Sequence, residues 1–486
     1  MVFDQPRRLG ARIRGGGSIM SSTMIMIAIA LAYVVLMTAI GVYMKKRSTT
    51  TDQFMTGAKN FGPFVIGALL MSDFIAINAT TGTAQTAYTA GISASWSMLT
   101  LLPAFVLFAF FLARKFHERG EYTISGAISK TYGNNARLVT SVIMLYTLFI
   151  INISTYASGA AMVGVLLNMP KIMAVIIVGL VSVIYVTTGG MSAVAYTNVV
   201  HVIVKYLGVL IAASVGLAAV GGYSELRIHL KPEMLSWTHV GWPTIIAWGI
   251  ATLGTIFSTQ YVIQAISSTS NTDKAIKAGI CAGLLVVPIA LLVTLVGLCS
   301  KVLFPNIPSA QAFPILIRLM NPLAGGLVVA GLVAAIFSIS SAVALAGAAL
   351  LMKDFYIPLI NKNATDAEAL RFSRISTILM GLLPIPFAIF VPQILNTLFF
   401  ARGLRTSISA VVVLMFYAPH FSSGRGATFG MLIAAIVTTV WYLANNPFNI
   451  DSIYIAAATP LIVMGLDHLY RWYFRGRPVD AKVVRA

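Results

Sequence analysis

Apolar residues run along this chain in long blocks, neither in the alternation of a half-buried strand nor in the narrow stripe of a soluble helix. About thirteen blocks reach the roughly 20 residues that a helix needs to cross the hydrocarbon of a bilayer. They centre near residues 32, 75, 104, 150, 180, 207, 254, 289, 337, 383, 406, 434 and 460. The links between them are too short to hold a soluble domain. Lipid gives backbone groups no water to bond, so blocks of this kind fold as helices. The pattern predicts an all-α polytopic membrane protein with about 13 transmembrane helices in one domain over 20–470. A basic, Gly-rich tail over 1–19 and a basic tail over 471–486 flank it. The first tail reads either as a disordered tail or as a misassigned start, with Met20 or Met24 as the true initiator. The block after it is long and ends on Lys45–Arg47, which reads as a retained span and not as a cleaved signal.

Two blocks differ from the rest. The second, over about 61–90, carries Asp73 a dozen residues inside it, on the order of 18 Å deep by helical rise. A carboxylate at that depth is costly unless it meets a cation, a proton or a water-filled cavity. Around it stand Asn78, Thr80, Thr81, Gly82, Thr83 and Gln85, a poor set for lipid and a good one for an interrupted helix. The seventh, over about 242–268, holds Gly249, Thr252, Gly254, Thr255, Ser258, Thr259, Gln260 and Gln264. Two interrupted blocks five helices apart enter the membrane from opposite sides, the mark of an inverted-repeat transporter. Repeat one is then 61–222 and repeat two 241–419, with peripheral helices at 20–44, 425–444 and 449–470. Gly and Thr also serve close helix packing, which does not account for two polar clusters at matching places. Asn78, Thr81, Gln85, Thr252, Thr255 and Gln260 are the candidates for lining a solute between the broken halves. In the ninth block, Ala335, Ser338 and Ser341 share a face at i, i+3 and i+6. Hydroxyls and carbonyls there suit a hard cation, or bond back to their own helix.

Composition narrows the classes. With 58% hydrophobic and 10% charged residues, no soluble domain fits. The net charge of +19 does not point to nucleic acid, because the basic residues gather at block ends. Alternate links carry about 23 against 5 Lys and Arg, counting Arg402, Arg405 and Arg425 at one end. The rich side is cytoplasmic by that rule, with the N-terminus outside and the C-terminus inside. Arg7, Arg8, Arg12 and Arg14 conflict with it. Cys281 and Cys299 lie about 27 Å apart on one helix, too far for a disulfide. Nucleotide-binding, zinc, nucleophile-elbow and dinucleotide fingerprints are missing, so an enzyme is not expected, and no cofactor beyond a coupling ion. A channel or a membrane sensor ranks lower than a transporter.

Four stretches resemble the sodium:solute symporter family. They are TTTDQFMTGAKNFGPF after the first block, TTGGMSAVAYTNVVHV at 187–202, QYVIQAISSTSNTDKA at 260–275, and AAIFSISSAVALAGAALLMKDFY in the ninth block. The resemblance covers roughly 24–420 and implies a leucine-transporter-like 5+5 inverted repeat and secondary active uptake. The solute it implies is a small organic acid, amino acid or vitamin. No aromatic occupies Thr255, where sugar symporters of the family place one, which lowers the expectation of a sugar. The resemblance also implies a sodium site built from the carbonyls of Ser72, Ile75 and Ala335 and the hydroxyl of Ser338, with Ser341 nearby. The second hydroxyl position is Ile339 and the acid position of the sixth helix is Asn198, and both departures remove oxygen or negative charge. Lys205 lies seven residues after Asn198, some fourteen residues into its block, too deep to snorkel comfortably. Its ammonium could fill the ion's space and pair with Asp73. Sodium coupling, which the resemblance implies, is the favoured reading; proton coupling through Asp73 and Lys205, which follows from the residues, is its rival; a static ion pair is the third reading. His201, one turn before Lys205, either titrates or simply hydrogen-bonds.

Overall fold

The protein is described by a computed structural model over residues 16–45, 50–56, 61–186, 191–391 and 393–475. The four N-terminal arginines, Lys46, Arg47, Lys59, the Thr-Gly-Gly run at 187–190 and the tail beyond Arg475 lie outside the described residues. The described helices used below are α1 (Gly16–Lys45), α2 (Pro63–Phe74), α3 (Ile77–Ala90), α4 (Asn134–Leu167), α5 (Lys171–Val186), α6 (Met191–Val220), α7 (Trp242–Ser258), α8 (Gln260–Ser267), α9 (Thr272–Leu303), α10 (Pro322–Leu350), α11 (Asp366–Leu382), α12 (Ile394–Tyr417), α13 (Gly424–Leu443) and α14 (Ser452–Arg475). A helical stretch from 96 to 119, with a π-turn at Ala109–Ala113, joins α3 to α4 by way of a short helix, Ile124–Tyr132. Among the described residues there is no strand, only one isolated bridge between Phe61 and Thr269. Among the described residues, nine helical stretches are long and apolar enough to cross a membrane, or ten with the bent α7–α8 pair; α2 and α5 are shorter apolar helices.

Burial orders these helices from centre to rim. In α10, 89% of the most apolar window is buried, against 28% in α1 and 28% in α14, so α10 is the axis and the other two lie outside. Small residues make that axis possible. A Cβ added to Gly331 of α10 would lie 3.0 Å from the Val204 carbonyl oxygen of α6, and one on Gly208 would lie 3.4 Å from the Gly331 Cα. The two backbones therefore touch, and that contact sets Lys205 of α6 against α10.

Both polar blocks are broken helices. The first breaks at Ile75 (φ −92°, ψ 56°) and Ala76, which is extended; the second breaks at Thr259 (φ −72°, ψ 130°), with a bend of 46°. Neither break holds a glycine or a proline. One end of the bundle is fastened by an ion network around the buried Asp354 and the half-buried Glu121. Asp354 accepts from Ser125, Ser141 and Arg137 Nε, the last at 2.7 Å, while Glu121 pairs with Lys353 and, at 3.2 Å, with Lys130.

One expectation is corrected. Arg402 and Arg405 do not sit at a helix end: they lie eight and eleven residues into α12, 3% and 0% exposed. The cytoplasmic count loses both, falling to about 21 against 5, which leaves the bias in place.

Where α3 ends, Gly91 takes φ +79° and ψ −154°, a conformation open only to glycine. A Cβ there would meet the Met234 carbonyl oxygen at 2.0 Å. Gly91→Ala should cost more than about 1 kcal/mol and lower the melting temperature in detergent. An unchanged melting temperature would show that the 232–235 turn yields freely.

Candidate functional site

The break after α2 strands carbonyl groups, since the last turn of a helix has no following N–H groups to bond. Ile75 N–H closes on Met71 at 2.9 Å, and the Ser72 carbonyl is left to other partners. It receives the Lys205 ammonium at 2.6 Å and the Ser338 hydroxyl at 3.1 Å. Lys205 Nζ also donates to Ser72 Oγ at 2.9 Å and to Ser338 Oγ at 2.6 Å. Ser338 Oγ lies 3.3 Å from the carbonyl of Ala335. One buried ammonium thus ties α6 to the break of α2 and to the centre of α10, spending its three protons on neutral oxygens.

Asp73 is next in the chain, 2% exposed, and forms no ion pair with Lys205. Its Oδ1 has no hydrogen-bond partner. It lines a small cavity with Leu69, Met191, Tyr261, Gln264 and Ala342. Asn198, in the sixth helix where the family resemblance places an acid, donates to the Val194 carbonyl at 2.8 Å and leaves its Oδ1 unpartnered. His201 is held between the hydroxyls of Tyr33 and Tyr185, the latter at 3.0 Å. Both ring nitrogens are used, as the bland reading of that residue has it.

The other sequence candidates separate into two sets. Thr252 and Thr255 of α7 reach α12: Thr252 Oγ1 is 3.4 Å from Arg402 Nη1, and Thr255 Oγ1 is 3.5 Å from the Arg402 carbonyl. Asn78 of α3 faces Thr155 of α4 at 3.5 Å. The remaining ones are engaged elsewhere. Thr81 bonds back to Ile77 at 2.7 Å and Ser341 back to Ser338 at 2.9 Å. Gln85 donates to Ser309 at 3.2 Å. Gln260 clamps the start of the Ile124–Tyr132 helix, accepting from Ile124 N–H and donating to the Tyr122 carbonyl, both at 2.9 Å.

Two site residues escaped the sequence reading. Arg405 Nε donates to Thr147 Oγ1 at 3.2 Å, and its Nη1 to Thr259 Oγ1 at 3.0 Å and the Tyr261 hydroxyl at 3.4 Å. Arg402 Nη1 reaches only the Ser97 carbonyl and Thr252, each at 3.4 Å. The available signal was two arginines three residues apart inside an apolar block, between Leu398-Phe399-Phe400 and the run from Val411 to Leu414.

Comparison with known proteins finds likenesses over most of the chain. The model of the sodium:solute symporter family matches residues 54–434. The chain is 24% identical to the sodium/pantothenate symporter of Escherichia coli (strain K12), over 85% of this chain and 90% of that one. It is also 24% identical to the high-affinity proline transporter PutP of Bacillus subtilis (strain 168), over 83% and 89%. Among solved structures, a Na+-coupled sialic acid symporter in a substrate-bound outward-open state matches with a TM-score of 0.79 at 17% identity, covering 92% of this chain and 97% of that one. Mhp1, a nucleobase-cation-symport-1 family transporter, matches at 0.59 and 15%, over 90% and 97%. At such identities the structures speak for the fold, which is that of leucine-transporter-like transporters.

Ser338 holds an ammonium, whereas Ser341 only returns to its own helix. Ser338→Ala should cost about 1–3 kcal/mol, and Ser341→Ala less than about 1 kcal/mol. Thermal unfolding of the two variants in detergent checks the order. Equal melting temperatures would remove the ammonium bond from the stability of the fold.

Proposed function

Because this chain belongs to the sodium:solute symporter family, we propose that it carries a small organic solute across the membrane by alternating access, with the Lys205 ammonium standing where a coupling sodium would bind and a proton as the driving ion. The observation that carries this reading is the set of bonds from Lys205 Nζ to Ser72 and Ser338, two of the residues that the family resemblance assigns to sodium. Ile339 and Asn198 support it, since each lacks the oxygen or the charge that would favour a metal ion there.

The chain itself is an integral membrane transport protein of the symport type. Counting α2–α3 and α7–α8 as one crossing each, and 96–119, α5 and α11 as crossings, gives the thirteen helices of the proposed topology, with the N-terminus outside. In the protonated form Lys205 fastens the hinge of α2 and α3 to α10. Loss of that proton removes the charge and one of three donors, which weakens the hold on the Ser72 carbonyl and leaves the Ser338 hydroxyl on it. The broken helices then rock against α10, and the solute between them changes sides. Asp73, with a free Oδ1 beside Tyr261 and Gln264, offers the next stop for the proton. Asn78, Thr81, Gln85, Thr252, Thr255 and Gln260 remain the proposed solute-facing groups, with Thr81, Gln85 and Gln260 engaging only after their present bonds open.

Sodium is the second reading, favoured by the family and by its pantothenate- and sialic acid-transporting relatives. At the Ser72–Ser338 site it needs a neutral or displaced lysine. Two unit charges 4 Å apart repel by about 4 kcal/mol at an effective dielectric of 20, and Asp73, whose charge acts on Lys205, forms no ion pair with it.

Uptake into proteoliposomes separates the readings. A panel of labelled amino acids, short organic acids and vitamins should include one concentrated by an inward proton gradient in sodium-free buffer. Lys205→Met should lose that concentration, and Asp73→Asn should slow it about tenfold or more. Uptake that follows a sodium gradient and ignores the pH gradient would contradict the proposal.

A further inference from the structure

The interior holds more positive charge than any coupling scheme above uses. Lys205 and Asp73 offset one another in count; Arg402 and Arg405 have nothing to offset them. Both guanidiniums are buried, and no described acid lies within ion-pair distance of either. Every partner they have is a neutral oxygen of Ser97, Thr252, Thr147, Thr259 or Tyr261. Arg405 Nη2 has no partner at all.

Placement adds to the imbalance. Thr259, which takes Arg405 Nη1, is the residue that precedes α8 and has no side-chain bond capping that helix. The N-terminal end of α8 therefore adds positive potential beside the guanidinium. Arg402 and Arg405, three residues apart, share one face of α12. That face looks onto the second broken helix, at Thr252, Ser258 and Thr259, and onto α4 at Thr147.

A buried charge without a counter-ion is expensive, and inside a membrane such residues mark ligand pathways. Here the counter-ion is a ligand. We propose that Arg402 and Arg405 form the seat of the transported solute, and that this solute is a small organic anion bound through one or two carboxylates. Guanidinium presents a fork of donors matched to a carboxylate, and the unpartnered Nη2 of Arg405 is the arm left for it. An aromatic face flanks each arginine, Phe399 at 4.8 Å from Arg402 and Tyr261 at 5.4 Å from Arg405. Trp248 stacks on Phe399 at 5.4 Å. These rings give a carbon skeleton apolar cover, which an inorganic anion does not need. The seat lies against the break of α7 and α8, so a bound anion neutralises charge at the hinge that must move. This inference rests on the transport reading above, and supplies its substrate class.

The test is equilibrium binding to the full-length protein in detergent, which needs no gradient and is run with and without sodium so that either coupling ion is covered. A library of small carboxylic acids, with matched amides and amines, is scored by thermal stabilisation. The stabilising compounds should be acids, and their amides should be inert. Arg405→Gln should weaken the apparent affinity tenfold or more. Arg405→Lys keeps the charge and loses the fork; it should stay monodisperse and bind the same acids more weakly than the parent. Three results overturn the seat: stabilisation by amides or amines but not acids, acids that bind Arg405→Gln as tightly as the parent, or chloride at equal ionic strength reproducing the effect of the acids. If acids bind through the arginines yet no gradient drives their uptake, the proton-coupled reading fails and the seat stands.

Discussion

The arrangement turns on one ammonium group placed against one stranded carbonyl. A helix broken in lipid must satisfy its orphan C=O groups from nearby chain, since no solvent is available to do so. At Ser72 that satisfaction comes from Lys205, whose helix lies close enough because glycines 208 and 331 bring α6 and α10 into backbone contact. Remove the break and the ammonium has no strong acceptor. Remove the ammonium and the Ser72 carbonyl at the axis of the bundle keeps only the Ser338 hydroxyl, at 3.1 Å. Local backbone geometry, helix packing and the chemistry of coupling are therefore one problem here, and Ser338 joins them by bonding to both groups.

Charge in the interior is distributed unevenly. The ion network at one end is matched, with Asp354 and Glu121 answered by Arg137, Lys353 and Lys130. Near the broken helices it is not: Asp73 has an idle oxygen, and Arg405 an idle nitrogen. Matched charge fastens a structure, whereas unmatched charge waits for something. The orphaned groups belong to the two broken helices and to the helix facing them, where the proposed alternating access would have ligands come and go.

Much of the fold was legible in the sequence, because hydrophobic block length reports directly on the bilayer. The two interrupted helices announced themselves by polar side chains. The break points did not, since Ile75, Ala76 and Thr259 are neither glycine nor proline, and the partners that take the Ser72 carbonyl at the first break come from distant helices. Lys205 and Ser338 were legible from depth and spacing. The target of Lys205 was not: Asp73 looked like the natural partner, yet the side chain goes to its neighbour's carbonyl, a group that sequence does not display. Arg402 and Arg405 were misplaced for a simpler reason. A rule that counts basic residues near block ends cannot tell an end from a middle when blocks at 383 and 406 nearly touch. Gln260, read as solute-lining, is occupied by the backbone of Tyr122 and Ile124, a long-range contact with no local signature.

Direct binding of radiolabelled sodium to the purified protein at neutral pH tests the claim that a lysine holds the cation's place. The parent should show no sodium binding that depends on Ser338, and Lys205→Ala should gain a site that Ser338→Ala abolishes. Sodium bound by the parent, and lost on Ser338→Ala, would contradict the account at its centre.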